Sequence, residues 1–267
     1  MRKIRRSPRA LLKQRMKYAR ARSIYLLPNS FTLASMFAAF YGVIQAMGGN
    51  FTGAAAAIFI SMLLDGMDGR VARLTHTSSE FGVQFDSIAD MFAFGVAPAL
   101  IAYEFSLSTL GNFGWAAAFI YCAGAGIRLA RFNTFVGVID KGFFQGLASP
   151  AGAALVMGFV WLFEAGQVPV ELHEYKACIT AALSIYAGVT MISTAPFFSG
   201  KNMGFVRKLP FWAVLIATVA IIAFSTYPAL AAFIIFCGYA LSGYLYQFYL
   251  YCRGLPNPVD PHKDDEL

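Results

Sequence analysis

Of the 267 residues, 58% are hydrophobic and 13% are charged. That is about half the charge a soluble domain carries, which excludes a water-soluble globular fold. The net charge of +7 is no nucleic-acid signal, because ten of the 21 Lys and Arg residues crowd between Arg2 and Arg22, ahead of the first apolar run. Beside a membrane domain such a leader marks the cytosolic side and touches anionic headgroups.

Apolar runs occupy 31–48, 54–64, 91–103, 115–129, 151–163, 177–191, 211–224 and 229–248. A bilayer crossing takes roughly 20 mostly apolar residues. The second and third runs reach that length only with their Asp-bearing flanks. The first run is too long for a signal peptide and no small-residue cleavage site comes after it. The expectation is an all-α integral membrane protein, a polytopic bundle of about eight transmembrane helices. Threaded from a cytosolic N-terminus, it puts every Lys and Arg on the cytosolic side except Lys176. That asymmetry favours an even helix count with both termini cytosolic.

The expected divisions are a basic segment 1–27, a membrane domain 28–200, two further C-terminal helices 201–250 packed on the periphery, and a cytosolic tail 251–267. The terminal "DDEL" resembles an ER-retention signal, but a cytosolic tail could not present it to a lumenal receptor. The sequon at Asn50-Phe51-Thr52 lies outside, close to the membrane. Cys122, Cys178, Cys237 and Cys252 have no paired spacing and read as small core residues rather than a disulfide or zinc set.

Four carboxylates, Asp65, Asp68, Asp86 and Asp90, fall where helices should cross. Each costs roughly 2.5–3.5 kcal/mol near a helix centre, so the group asks for a function. Asp65 and Asp68 are i, i+3 and Asp86 and Asp90 are i, i+4, so each pair shares a helix face. Gly69, Ala72 and Gly82 are small residues that let two such helices approach. Two facing pairs cannot all stay ionised without a counter-charge. One or two divalent cations resolve this, and oxygen-only ligation points to Mg²⁺, Mn²⁺ or Ca²⁺. Buried pairing with Arg70 and Arg73 is the structural alternative, but two arginines cannot match four carboxylates. "DGMDG" lacks the alternating acids and distal Glu of an EF-hand loop.

The stretch "DGMDGRVARLTHTSSEFGVQFDSIAD" reads D-x2-D-G-x2-A-R-x8-G-x3-D-x3-D from Asp65 to Asp90. It resembles the signature of the CDP-alcohol phosphatidyltransferase family at all eight fixed positions. The resemblance implies a membrane enzyme with a six-helix core, a polar cavity open to the cytosol, a homodimer and a two-metal site. It further implies that Asp65, Asp68 and Asp86 are metal ligands. Asp90 would be the general base, with a possible metal contact of its own. Gly69, Ala72 and Arg73 would hold the cytidine-diphosphate part of a CDP-lipid, and Gly82 the helix approach. Asn29 and Thr32, in "LLPNSFTLAS", resemble the family's entry to its first helix and are weaker candidates for the same donor.

Two later stretches bear on the acceptor. "RLARFN" (128–133) and "FFQGLASPAGAA" (143–154) resemble segments of the family's serine-accepting members. Arg128 and Arg131 are i, i+3 and suited to gripping a carboxylate; Asn133 and Ser149 accompany them. Snorkelling of either arginine to the headgroups and an ordinary Ser-Pro helix start are the plain readings. The expectation is transfer from CDP-diacylglycerol to the L-serine hydroxyl with release of CMP, at the cytosolic face of a bacterial cytoplasmic membrane. Glycerol 3-phosphate or an inositol compound is the alternative acceptor. A cation transporter is the alternative of another class, but it wants acids spread through the membrane depth and repeated halves.

Overall fold

The computed structural model describes residues 29–75, 80–134, 142–198, 225–255 and 259. The basic leader, Lys141 and the seventh apolar run lie outside them. Helix α1 (Asn29–Met47) stops where Gly49 takes φ 77°. The Asn50 N–H donates to the Gln45 carbonyl and the Gly49 N–H to Ala46, both at 2.9 Å, satisfying carbonyls that the helix end would orphan. Asn50 then caps α2 (Phe51–Thr75): its Oδ1 accepts from the Gly53 N–H at 3.0 Å, the N3 bond expected of an Asn cap. The sequon asparagine is therefore a helix-capping residue. Further along, the hydroxyls of Ser35 and Ser61 bond each other at 2.8 Å and the opposing backbone carbonyls at 3.0 and 2.9 Å, joining α1 to α2.

The third span, Glu80–Phe105, is continuous but not uniform. α3 (Glu80–Asp90) gives way to a π-helical turn, Met91–Val96, before α4 (Ala97–Phe105). A 3₁₀ turn leads into α5 (Asn112–Thr134). Strand β1 (Phe143–Gln145), α6 (Ser149–Glu164), α7 (Lys176–Ile192), strand β2 (Pro196–Phe198) and α8 (Pro228–Arg253) complete the described chain. The all-α membrane bundle expected from the sequence is what forms. Among the described residues five helices are long and apolar enough to cross a membrane, while α6 and α7 are shorter apolar helices. At 16 and 17 residues these two rise about 24–26 Å, short of a typical hydrocarbon core. α6 tolerates this because it is buried on nearly every side, packed by α2, α7 and α8.

Small residues and hydroxyls bind the helices, as expected where lipid competes for every apolar contact. α5 and α7 touch at Gly124 and Gly188: a Cβ on Gly124 would overlap the Gly188 backbone, and one on Gly188 the backbone of Ile120 and Tyr121. Ser106 Oγ donates to Thr180 Oγ1 at 2.9 Å, and the Tyr186 hydroxyl to the Ala240 carbonyl at 2.8 Å. The lipid-facing side of α8 carries Ile234, Ile235, Leu245 and Phe248, all exposed.

β1 and β2 pair antiparallel, Phe143 against Phe198 and Gln145 against Pro196. This miniature sheet seats the turn ahead of α6: the Gly146 N–H donates to Ala195 O at 2.9 Å and the Leu147 N–H to Thr190 O at 3.1 Å. At the other end of the bundle the Lys176 ammonium sits over three rings, 3.7 Å from Phe105, 4.7 Å from Phe163 and 5.8 Å from Phe51. One cation thus ties together the ends of α2, α4, α6 and α7. Replacing it by the apolar Lys176→Met should cost about 1–2 kcal/mol and lower the melting temperature in detergent without touching activity, a pair of readings that checks the assignment.

Candidate active site

α2 and α3 bring the acidic residues together because each pair sits on one helix face. One carboxylate oxygen each from Asp65, Asp68 and Asp86 lie within 4.8 Å of one another. Asp68 is buried, and its Oδ2 accepts from the Thr32 hydroxyl of α1 at 2.8 Å. Asp65 and Asp86 are half-buried. Arg70 on α2 is exposed, so these carboxylates gather against one another and not around it.

Asp90 stands one turn beyond Asp86, within hydrogen-bonding reach of Asp65. Its Oδ1 is buried with no hydrogen-bond partner. Close enough to feel its charge is Arg128 of α5, which is only 8% exposed. An Arg128 terminal nitrogen donates to Ser149 Oγ, at the start of α6, at 2.9 Å, while its Nε is buried and unpartnered. A buried acceptor and a buried donor, each without a partner, therefore lie on neighbouring side chains. Such atoms normally find partners.

The other residues singled out in the sequence fall into place around this centre. Asn29 opens α1 and is half-buried, as is Gly82 on α3. Gly69, Ala72 and Arg73 lie on the last turns of α2, their side chains outside the described set. Thr32, expected at the donor, bonds Asp68 of the acidic group through its hydroxyl. Arg131 donates to backbone carbonyls at the end of α7, to Ile192 at 2.8 Å, Ser193 at 3.0 Å and Met191 at 3.5 Å. It caps that helix where carbonyls would otherwise be orphaned. The Asn133 amide donates to Ser87 Oγ of α3 at 3.0 Å. The two residues fix the end of the helix that carries Arg128. Sequence spacing missed these tasks, since they depend on which groups the neighbouring helices leave free.

Compared with known proteins, residues 25–244 match the family described as CDP-alcohol phosphatidyltransferase. The chain belongs to this CDP-alcohol phosphatidyltransferase family. Several relatives carry the name CDP-diacylglycerol–serine O-phosphatidyltransferase. That of Helicobacter pylori is 45% identical over 134 residues, covering 50% of this chain and 56% of the relative. The Mycobacterium leprae protein is 38% identical over 156 residues, 55% and 51% of the two chains. The Methanocaldococcus jannaschii protein is 37% identical over 149 residues, 56% and 65%. The chain spans about half the length of the curated relatives it matches first.

Members of the CDP-alcohol phosphatidyltransferase family are generally metal-dependent, and the residues present suit a hard divalent cation. The donor set is all oxygen, three carboxylates converge within 4.8 Å, and a fourth offers the unpartnered Asp90 Oδ1 beside them. No sulfur or imidazole belongs to the cluster among the described residues, which argues against a thiophilic or imidazole-bound metal.

Proposed function

We propose that the protein transfers a phosphatidyl group from CDP-diacylglycerol to the hydroxyl of L-serine, releasing CMP. The observation that carries this reading is the buried Arg128–Ser149 pair beside Asp90, with Arg128 Nε and Asp90 Oδ1 both unpartnered. The names of the relatives point the same way. Asp65, Asp68 and Asp86 would hold one or two cations, Mg²⁺ or Mn²⁺, with Asp90 at their edge. Bound there, the metal supplies charge to offset the pyrophosphate and the departing CMP.

The chain's own side chains do the rest. Gly69 and Ala72 leave room for the cytidine-diphosphate portion, with Gly82 keeping the facing helix close. Arg73 meets phosphate charge, and Asn29 borders the donor from α1. Arg128 grips the serine carboxylate through its fork, with Ser149 orienting the guanidinium and Arg131 and Asn133 steadying the helix end behind it. Asp90 accepts the hydroxyl proton, which requires direct or one-water reach. The serine oxygen then bonds the lipid-side phosphorus, the phosphorus–oxygen bond to CMP breaks, and CMP leaves with the electron pair. No covalent enzyme intermediate is required. Lys176 lies beside Phe51, at the opposite end of α2 from Asp65. The basic residues at the acidic end support a cytosolic face for this chemistry, and the proposal takes the protein as a homodimer in a bacterial cytoplasmic membrane.

The test is CMP release from CDP-diacylglycerol by purified protein in detergent with Mn²⁺, comparing L-serine, glycerol 3-phosphate, inositol phosphate and no acceptor. Release only with L-serine is expected. Release with another alcohol would overturn the acceptor and keep the donor; no release with any would overturn the transferase itself.

A further inference from the structure

The π-helical turn Met91–Val96 begins at the residue after Asp90, and its cause is visible four residues past Phe94. An α-helical Phe94 carbonyl would accept from residue 98, but that residue is Pro98, which has no N–H and whose ring crowds the carbonyl. The helix widens instead, with the Ala97 N–H donating back to Phe92. The Phe94 carbonyl accepts from the hydroxyl of Tyr121 at 2.8 Å, and Tyr121 is 1% exposed on α5. Gly95 lets the turn lie against α5: a Cβ there would come within 3.1 Å of Ala125 Cβ and of Met91 Sδ.

We infer that Tyr121 is a positioning residue for the acidic site, acting through the π-turn. A π-turn inside a helix rotates the residues before it relative to those after it. α4 is locked in the core by Ile101, Ala102 and Phe105, so the angular phase of Asp90 and Asp86 is set at the turn. The Tyr121 hydroxyl holds it. Seven residues on, two helical turns along the same face, α5 carries Arg128. One helix thus fixes both the carboxylate and the guanidinium beside it. The inference rests on the proposed function of the acidic site.

Tyr121→Phe removes one oxygen, and Gly95→Ala pushes the turn away from α5 with the hydroxyl intact. Tyr186→Phe, which loses an equivalent hydroxyl-to-carbonyl bond on α7, controls for destabilisation alone. CMP release kinetics with L-serine and Mn²⁺ binding followed by EPR are measured on all three with melting temperatures. Both site-side variants are expected to lose about tenfold in kcat and to bind Mn²⁺ severalfold more weakly, while Tyr186→Phe does neither at a comparable melting temperature. Wild-type kcat and Mn²⁺ affinity in whichever of Tyr121→Phe and Gly95→Ala folds would overturn the positioning role, as would equal losses in Tyr186→Phe. If the wild type itself neither binds Mn²⁺ nor releases CMP, the function proposed for the acidic site falls and this inference with it.

Discussion

Asp90→Asn is expected to lower CMP release with L-serine by about 10³-fold, the order attributed to a positioned general base, while Mn²⁺ binding stays near wild type. Asp86→Asn is expected to lose both. The difference comes from the geometry: Asp65, Asp68 and Asp86 converge as a trio, whereas Asp90 lies within reach of Asp65 with its Oδ1 unpartnered. Asparagine keeps the shape and one acceptor at position 90 but cannot take up a proton. At position 86 the same change removes a negative charge from the trio that would hold the ion. Steady-state rates and Mn²⁺ EPR titrations on the two variants separate the roles. Should Asp90→Asn weaken Mn²⁺ as much as Asp86→Asn, Asp90 is a ligand first and the proton goes elsewhere.

The acidic trio was legible in the sequence because helical periodicity is local: i, i+3 and i, i+4 spacings put Asp65 with Asp68 and Asp86 with Asp90 whatever the tertiary context. The helices were legible for the same reason, although α2 and α3 had to be extended through their acidic flanks, and they do run to Thr75 and from Glu80. What could not be read depends on partners distant in the chain. Spacing could not show that Arg131 would meet three carbonyls at the end of α7, some sixty residues on. Nor could it show that the Thr32 hydroxyl would reach Asp68, 36 residues on. Three-residue strands at 143–145 and 196–198 carry no periodicity long enough to register. The π-turn did leave a trace, Pro98 inside an apolar run, but a proline alone does not say whether a helix breaks, kinks or widens.

Arg128→Met should raise the KM for L-serine by about 100-fold or more, since a buried hydrogen bond to a charged group is worth roughly 1.5–3 kcal/mol and the fork can make two. Arg128→Lys should fall between, keeping the charge and losing the bidentate geometry. Ser149→Ala, which only frees the guanidinium it accepts from at 2.9 Å, should cost less than either. The informative control is ethanolamine, serine without its carboxylate. If Arg128 grips that carboxylate, the wild type discriminates against ethanolamine and Arg128→Met loses the discrimination, because its loss falls on serine alone. Arg128 also lies near Asp90, so a competing role exists: holding the base ionised. That role would lower kcat for both alcohols equally and leave their ratio unchanged. Measured kcat and KM for the two acceptors, on wild type and Arg128→Met, therefore assign the guanidinium either to the substrate or to the base.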